Sequence, residues 1–486
     1  MNLSLQAFSK VTGLAFMVIG LSMLPSFAIA CIYHELHAIL AFLITIMITT
    51  VTGWSLMFIG RDFEDTLKIR DGFLVVTLCW LVAGFAGALP FVMSGAIPNF
   101  FDAFFESCSG FSTTGCTILT DIEALPKSLL FWRSFTHWIG GMGILIFAIA
   151  LMPSLGISGQ NAAASEAPGP TLDKVTAKMS DTAKSLYFIY ILFTLVQTIL
   201  LCLGGMSLFD ALVHTFGTVG TGGFSSYNDG IAHFGSVYIE VVIIIFMILC
   251  GTNFNLFFLT FKQKYNYFIH DSEFKLYMGI IIVFSILIAL NLAFSGVFSN
   301  GDSVRHAVFN VSSVITTTGF ATADFNLWPT FSKMLLLLLM FVGGCASSTG
   351  GGIKVIRILV LLKLIRRGIA TRLHPNAVVN VRINDTTIPS DTVTNTACHA
   401  FIYLMIVFIS TILISLDNFD LITNFTAVIT CVGNIGPGFE LVGPMGNFAL
   451  FSGASKFLLS MLMLAGRLEL FTLFIIFTPK FWHPDR

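Results

Sequence analysis

Four segments of this sequence, each about a dozen residues long and mostly apolar, run into clusters of Thr, Ser, Asn and Gly, and they align without gaps on their last glycine. They are FDAFFESCSGFSTTG ending at Gly115, FDALVHTFGTVGTGG at Gly223, RHAVFNVSSVITTTG at Gly319 and ITNFTAVITCVGNIG at Gly436. Crossing ~30 Å of hydrocarbon takes roughly 20 helical residues, so none of the four is long enough to cross. The runs around them are: Val11–Ala30, Leu40–Gly60, Phe73–Leu89, Tyr187–Leu203, Val237–Phe261, Leu276–Phe298 and Phe401–Leu416. Only 10% of the 486 residues are charged, against roughly a quarter in a soluble domain, which excludes a soluble enzyme with an attached anchor.

The order span, half-crossing helix, glycine turn, span therefore recurs four times. It predicts an all-α polytopic membrane protein with repeat units at 72–153, 184–262, 274–370 and 395–480 and two extra transmembrane helices within 1–71. The first run reads as a retained helix, because a second span follows at once and no small-residue cleavage site stands out. Residues 153–184 read as a loop ending in a short amphipathic helix, and 365–394 as a basic connection. With ten spans and the N-terminus inside, most Lys and Arg, including Lys10, Arg61, Lys262, Lys275 and the cluster from Lys354 to Arg382, fall on the cytoplasmic side. The nine cysteines stand singly, without ligand spacing, and read as apolar fillers.

Irregular backbone at membrane depth survives only where protein or a water-filled cavity covers it. Four glycine turns thus need a shared interior. Converging on one axis, their carbonyls and Thr hydroxyls form the stacked oxygen rings that replace the hydration shell of K⁺ in filters. Each short helix then aims its negative C-terminal end at that axis. The competing reading of one glycine cluster is close helix packing through small residues. Asp102 and Asp210, at matching starts of the first two short helices, read as caps that can also attract cations.

Gly343, Gly344, Ala346, Ser347, Ser348, Thr349, Gly350, Gly351 and Gly352 interrupt the second helix of unit three. Each glycine costs a helix up to ~1 kcal/mol, which points to an intramembrane loop under the turns, or else a tight helix crossing. Arg467 lies in the middle of an apolar span, where an ionisable residue is a functional candidate: a barrier to cations, or a partner of a neighbour such as Glu469. His137 and His214 read as hydrogen-bonded helix residues, and no nucleotide-binding glycine motif is present.

STTGC, GTGGF, TTTGF and GNIGPGF at the turns, GGCASSTGGGIK at the break and AGRLELF in the last span resemble the Trk/Ktr/HKT superfamily of cation transporters. Over nearly the whole chain the likeness is to the TrkH-type membrane subunit of bacterial potassium uptake systems, and the two extra helices suit that branch better than the shorter KtrB type. The resemblance implies that Gly115, Gly223, Gly319 and Gly436 are filter glycines, with carbonyls from Thr113, Thr114, Thr221, Gly222, Thr317, Thr318, Asn434 and Ile435. It implies that glycine rather than serine at 115 favours K⁺, although Asn434 and Ile435 depart from the Thr of other turns. It further implies that the loop blocks the pore and that Arg467 lies just below the filter as an electrostatic barrier.

K⁺ is then the transported ion, with no tightly bound cofactor, no nucleic acid and no enzymatic reaction. The implied setting is the bacterial inner membrane, with the N-terminus cytoplasmic, the lipid bilayer around the chain and a homodimer. A cytosolic TrkA-type regulatory ring, itself the NAD(H)- or ATP-binding component, is implied to dock on the basic segment, which alone is equally an orientation signal. Two other functions compete. An alternating-access transporter coupled to H⁺ or Na⁺ needs two inverted halves and an intramembrane relay, and an intramembrane enzyme needs a nucleophile or paired acids.

Overall fold

Helices that are apolar on every face have no polar side to give to water, and here their outward residues are large and hydrophobic. On α3 (Leu36–Ile59), Leu40, Leu43, Met47, Val51, Trp54 and Phe58 stand exposed, while Ala38, Ala41, Thr45, Thr49 and Gly53 make the buried stripe. That stripe packs on α1 (Leu5–Ser22). The crossing is so close that a Cβ on Gly13 would lie 2.7 Å from the Gly53 carbonyl. Such an exposed apolar belt suits lipid, and the chain is a multi-pass membrane protein.

The computed structural model describes residues 5–61, 69–143, 179–263, 267–376, 379–384, 386–470, 475–476 and 478–482. The first unit beyond residue 143, the expected loop up to residue 178 and residues 471–474 of the fourth unit lie outside the described residues. After α1, α2 (Leu24–Ile32) and α3, the order long helix, short helix, second helix recurs. It is α4 (Ile69–Met93), α5 (Phe100–Phe111), α6 (Lys127–Gly141), then α7 (Met179–Leu203), α8 (Leu208–Val219), α9 (Val237–Cys250) continued by α10 (Phe254–Gln263). The third set is α11 (Ser272–Phe294), α12 (Asn300–Ile315), α13 (Thr330–Met340), followed by α14 (Val355–Leu373), and the fourth is α15 (Ser390–Ile414), α16 (Leu421–Gly433), α17 (Gly453–Arg467). A two-residue hairpin, Arg382–Ile383 with Thr386–Thr387, is the one sheet among the described residues.

Among the described residues six helices are long and apolar enough to cross, or seven if α9 and α10, bent by 87°, count as one. The second helices end at Gly141, Cys250, Met340 and Arg467. The sequence showed such a break only in unit three; in the structure every second helix stops.

The short helices begin at side-chain caps. Asn99 accepts from the Phe101 N–H, Ser207 from Asp210, Ser299 from Asp302 and Asp420 from Thr423. This corrects the reading of Asp102 and Asp210 as caps: each sits three residues beyond the cap. Asp102 instead accepts from Lys456 Nζ at 2.6 Å, and Asp210 from the Ser207 and Ser226 hydroxyls at 2.6 and 2.9 Å.

Candidate functional site: a ring of four turns

The four turns share one backbone. Two residues before each final glycine, Thr113, Thr221, Thr317 and Asn434 have φ between +53° and +58°, and the glycines have φ between +77° and +102°. Glycine adopts positive φ freely, whereas a Thr there costs of order 1–3 kcal/mol and persists only where its surroundings hold it. The same hydrogen bond does the holding each time: Thr114, Gly222, Thr318 and Ile435 N–H donate to Ser109, Gly217, Ser313 and Thr430 carbonyls at 2.8–2.9 Å. Asn434 is thereby explained, since Asn tolerates this conformation best after glycine. Its Nδ2 also donates to Thr114 Oγ1 and the Met463 carbonyl, both at 2.9 Å, joining the fourth turn to the first.

The turns close on one another in cyclic order. A Cβ on Gly115 would stand 2.0 Å from the Gly222 carbonyl oxygen, on Gly223 2.0 Å from that of Thr318, on Gly319 2.1 Å from that of Ile435. On Gly436 it would stand 2.9 Å from the Thr114 oxygen, completing the circuit. One cavity of about 80 Å³ is lined by all four glycines. The packing alternative for the glycine clusters accounts for none of this order.

On the other side of the ring lies the segment between α13 and α14. Its two limbs meet at a parallel bridge, Val342 with Ile353, and a Cβ on Gly343 would lie 1.9 Å from the Gly351 carbonyl, so glycine is required where the limbs touch. The tip reaches the third turn, where Gly351 N–H donates to Thr317 Oγ1 at 2.7 Å. A Cβ on Gly350 would be 2.9 Å from the Thr316 carbonyl. Cys345 N–H donates to the Gly251 carbonyl at 2.8 Å, and Ser347 O accepts from Phe254 N–H at 3.1 Å, fastening the loop to the α9–α10 bend. Ser348 Oγ closes a local turn on Cys345 O at 2.6 Å, and Gly344 and Gly352 lie in the limbs.

Arg467 stands at the C-terminal end of α17. Its Nη1 donates to Thr349 O at 2.7 Å, and its Nη2 to the Gly140 and Gly141 carbonyls at 2.6 and 2.8 Å. One guanidinium thus ties the loop to the broken end of α6. Glu469, the partner named in the alternative reading of Arg467, instead binds Arg357.

With that geometry in place, comparison with known proteins is decisive. Residues 38–484 match the TrkH family model, described as cation transport protein. The chain belongs to the TrkH family. Relatives include the Trk system potassium uptake protein TrkH of Escherichia coli K12, 37% identical over 98% of this chain and 99% of that protein. Others are TrkH of Halomonas elongata, 35% identical over 99% and 100%, and TrkG of Escherichia coli K12, 32% identical over 99% and 100%. The crystal structure of the potassium transporter TrkH from Vibrio parahaemolyticus superposes with a TM-score of 0.88 at 34% identity, covering 99% of this chain and 100% of that one.

Within this TrkH-family ring, the sequence reading missed several supporting residues and gave His214 only a helix hydrogen bond. Nine residues before the glycines stand Glu106, His214 and Asn310, and each braces the strand leaving its own turn. Glu106 accepts from Thr117 Oγ1 and Ile118 N–H at 2.9 and 3.0 Å, His214 Nε2 meets Ser225 Oγ at 2.9 Å, and Asn310 reaches Thr322 Oγ1 at 3.5 Å. Glu106 is paired with buried Arg133 at 2.5 Å, whose Nη1 donates to the Ser225 carbonyl, so the first two turns share a brace. A shared polar register inside short apolar helices was the available signal. His137 and His214 do make helix hydrogen bonds, to Gly110 O at 2.7 Å and Asp210 O at 2.8 Å. Glu273, in the first turn of α11, accepts from Ala346 and Ile356 N–H at 2.6 and 3.0 Å, holding both limbs of the loop with one oxygen. Lys354 Nζ donates to the Gly350 carbonyl inside that loop.

Proposed function

We propose that the chain takes up K⁺ across the bacterial inner membrane through a gated, channel-like pore. The observation that carries this is the closed circuit of four turns, each glycine packed against the carbonyl of the next turn. Residues 113–115, 221–223, 317–319 and 434–436 present the oxygens, in units 72–153, 184–262, 274–370 and 395–480, and residues 1–71 stay outside the pore. The names of the relatives, potassium uptake proteins, support K⁺ as the ion. The loop from Gly343 to Gly352, with Arg467, is the barrier.

The lopsided Lys and Arg distribution supports a cytoplasmic N-terminus, and puts basic α14 where a cytosolic nucleotide-binding ring of the TrkA type can dock. A homodimer completes the proposed assembly. Four units with one shared turn geometry favour a pore over two inverted halves. The test is Rb⁺ uptake into vesicles holding the purified chain. A pore carries Rb⁺ down its gradient without a proton gradient; uptake that strictly requires H⁺ or Na⁺ movement in fixed ratio overturns it in favour of alternating access.

A further inference from the structure

Spacing along the chain keeps the cysteines apart, but the fold brings two together. Cys116, directly after the first ring glycine, faces Cys431 of α16 with their Sγ atoms 3.8 Å apart. Cys431 is fully buried and Cys116 is 2% exposed. Cys116 also lines the cavity that the four glycines share. Its thiol donates to the Gly436 carbonyl at 3.1 Å, so this sulfur stands between the ring and the second sulfur.

The separation suits a metal. A disulfide needs ~2.05 Å between sulfurs, which would drag the first turn against the fourth. Two metal–sulfur bonds of ~2.3 Å, the length in zinc thiolates, span 3.8 Å at an angle of about 110°, close to tetrahedral, with neither sulfur displaced. We propose that Cys116 and Cys431 form a binding site for a soft divalent cation entering from the cavity, and that its occupation closes the pore.

Thiolates select soft ions and leave K⁺ to the oxygens. Two thiolates neutralise a divalent ion, so no net charge is buried. On binding, each thiol releases its proton to water in the cavity, two metal–sulfur bonds form, and no electron changes hands. Cys116 then has no proton for the Gly436 carbonyl, and thiolate and carbonyl oxygen, both acceptors 3.1 Å apart, repel and displace the fourth turn. Closure rests on the pore reading above; the metal site does not.

Cd²⁺ is the probe, on the full chain with the exposed Cys31 and Cys398 replaced by serine. Bound Cd²⁺ after gel filtration, thiolate-to-metal ultraviolet absorption and Rb⁺ uptake are measured together. The expected result is tightly bound Cd²⁺ with the absorption band, and uptake that Cd²⁺ suppresses and a chelator restores. Cys116→Ala and Cys431→Ala each remove a ligand and should weaken Cd²⁺ binding by at least the roughly ten- to hundredfold that loss of an outer-shell partner costs, and abolish the sensitivity. They remove one site from two different elements, so either folded variant decides. Unchanged Cd²⁺ binding in a folded variant overturns the site, and binding without loss of uptake overturns the closure. If Rb⁺ uptake is absent even without Cd²⁺, the pore reading fails, while the absorption band still decides the metal site.

Discussion

A serine at position 115 tests the ring where it is tightest. Gly115 has φ +85°, which strains an L-residue by roughly 1–2 kcal/mol. The larger effect is steric. The added Cβ would lie 2.0 Å from the Gly222 carbonyl oxygen, and a ~3.5 Å contact requires that oxygen to retreat by roughly 1.5 Å. Gly222 has no room to back away, because the His137 ring lies behind it, 2.3 Å from where its own Cβ would be. Its carbonyl must therefore rotate out of the ring. An oxygen contact to a charged group is worth about 1.5–3 kcal/mol, so preference for the fitting ion should fall by about ten- to a hundredfold. The assay is Rb⁺ against Na⁺ flux in vesicles reconstituted with Gly115→Ser and Gly115→Ala. Both variants should lose preference, since the Cβ causes the clash. An unchanged flux ratio in folded Gly115→Ser refutes the reasoning, and loss in Ser but not Ala would move the cause to the hydroxyl.

Deleting residues 346–351 removes the loop tip and its bond to Thr317, so flux through the chain alone should rise; flux no higher than wild type removes the loop as barrier. Arg467→Ala should also raise flux, because a unit charge within ~6 Å of a passing cation opposes it by about 3 kcal/mol at an effective dielectric near 20. Reduced flux from well-folded Arg467→Ala would contradict the barrier role. Glu273→Ala leaves two buried N–H groups without their acceptor, at about 1–3 kcal/mol each, and should raise basal flux and speed amide exchange at Ala346 and Ile356. Glu273→Gln keeps a carbonyl oxygen and should behave much closer to wild type; equal effects of both would show that the charge, not the clamp, matters.

The ring was legible because it is written as a register. A dozen apolar residues, a polar turn and a glycine repeat in the same order four times, and the backbone of each turn follows from those residues. Ring closure between turns was legible only as a requirement, since buried peptide groups need company. The breaks in the second helices were hidden for a different reason. Gly140 and Gly141, Gly251 and Gly466 lie within long, mostly apolar runs where isolated glycines are tolerated, and tertiary neighbours decide that the helix stops: a Cβ on Gly466 would meet the Val432 carbonyl at 2.1 Å. Arg467 was found by its charge, but its partners were not, because they are backbone carbonyls contributed by Thr349, Gly140 and Gly141. No side-chain pattern marks a carbonyl. The cysteine pair was missed on the same principle, since contacts between distant units leave no spacing to read.

The placement of the loop ties the proposed barrier to one of the four turns. Thr317 shapes the third turn through its backbone, at φ +58°, and holds the loop through its hydroxyl. Withdrawing the loop therefore removes a hydrogen bond from one of the four non-glycine turn residues held at positive φ. The other fastenings include Arg467 to Thr349 O, Cys345 N–H to Gly251 O, Phe254 N–H to Ser347 O, Thr349 Oγ1 to Cys250 O and Ala346 N–H to Glu273. The neutral ones are worth about 0.5–1.5 kcal/mol net and those to Arg467 and Glu273 about 1.5–3 kcal/mol, which puts the hold on the loop at several kcal/mol. A binding partner can supply that much, since about 5.5 kcal/mol of differential affinity carries a two-state equilibrium from almost all closed to almost all open. The loop is fastened by directional hydrogen bonds as well as by the packing of Cys345, Ala346 and Ile353, and because one of those bonds ends on the ring, moving the loop as the proposed barrier requires removes a contact from the third turn.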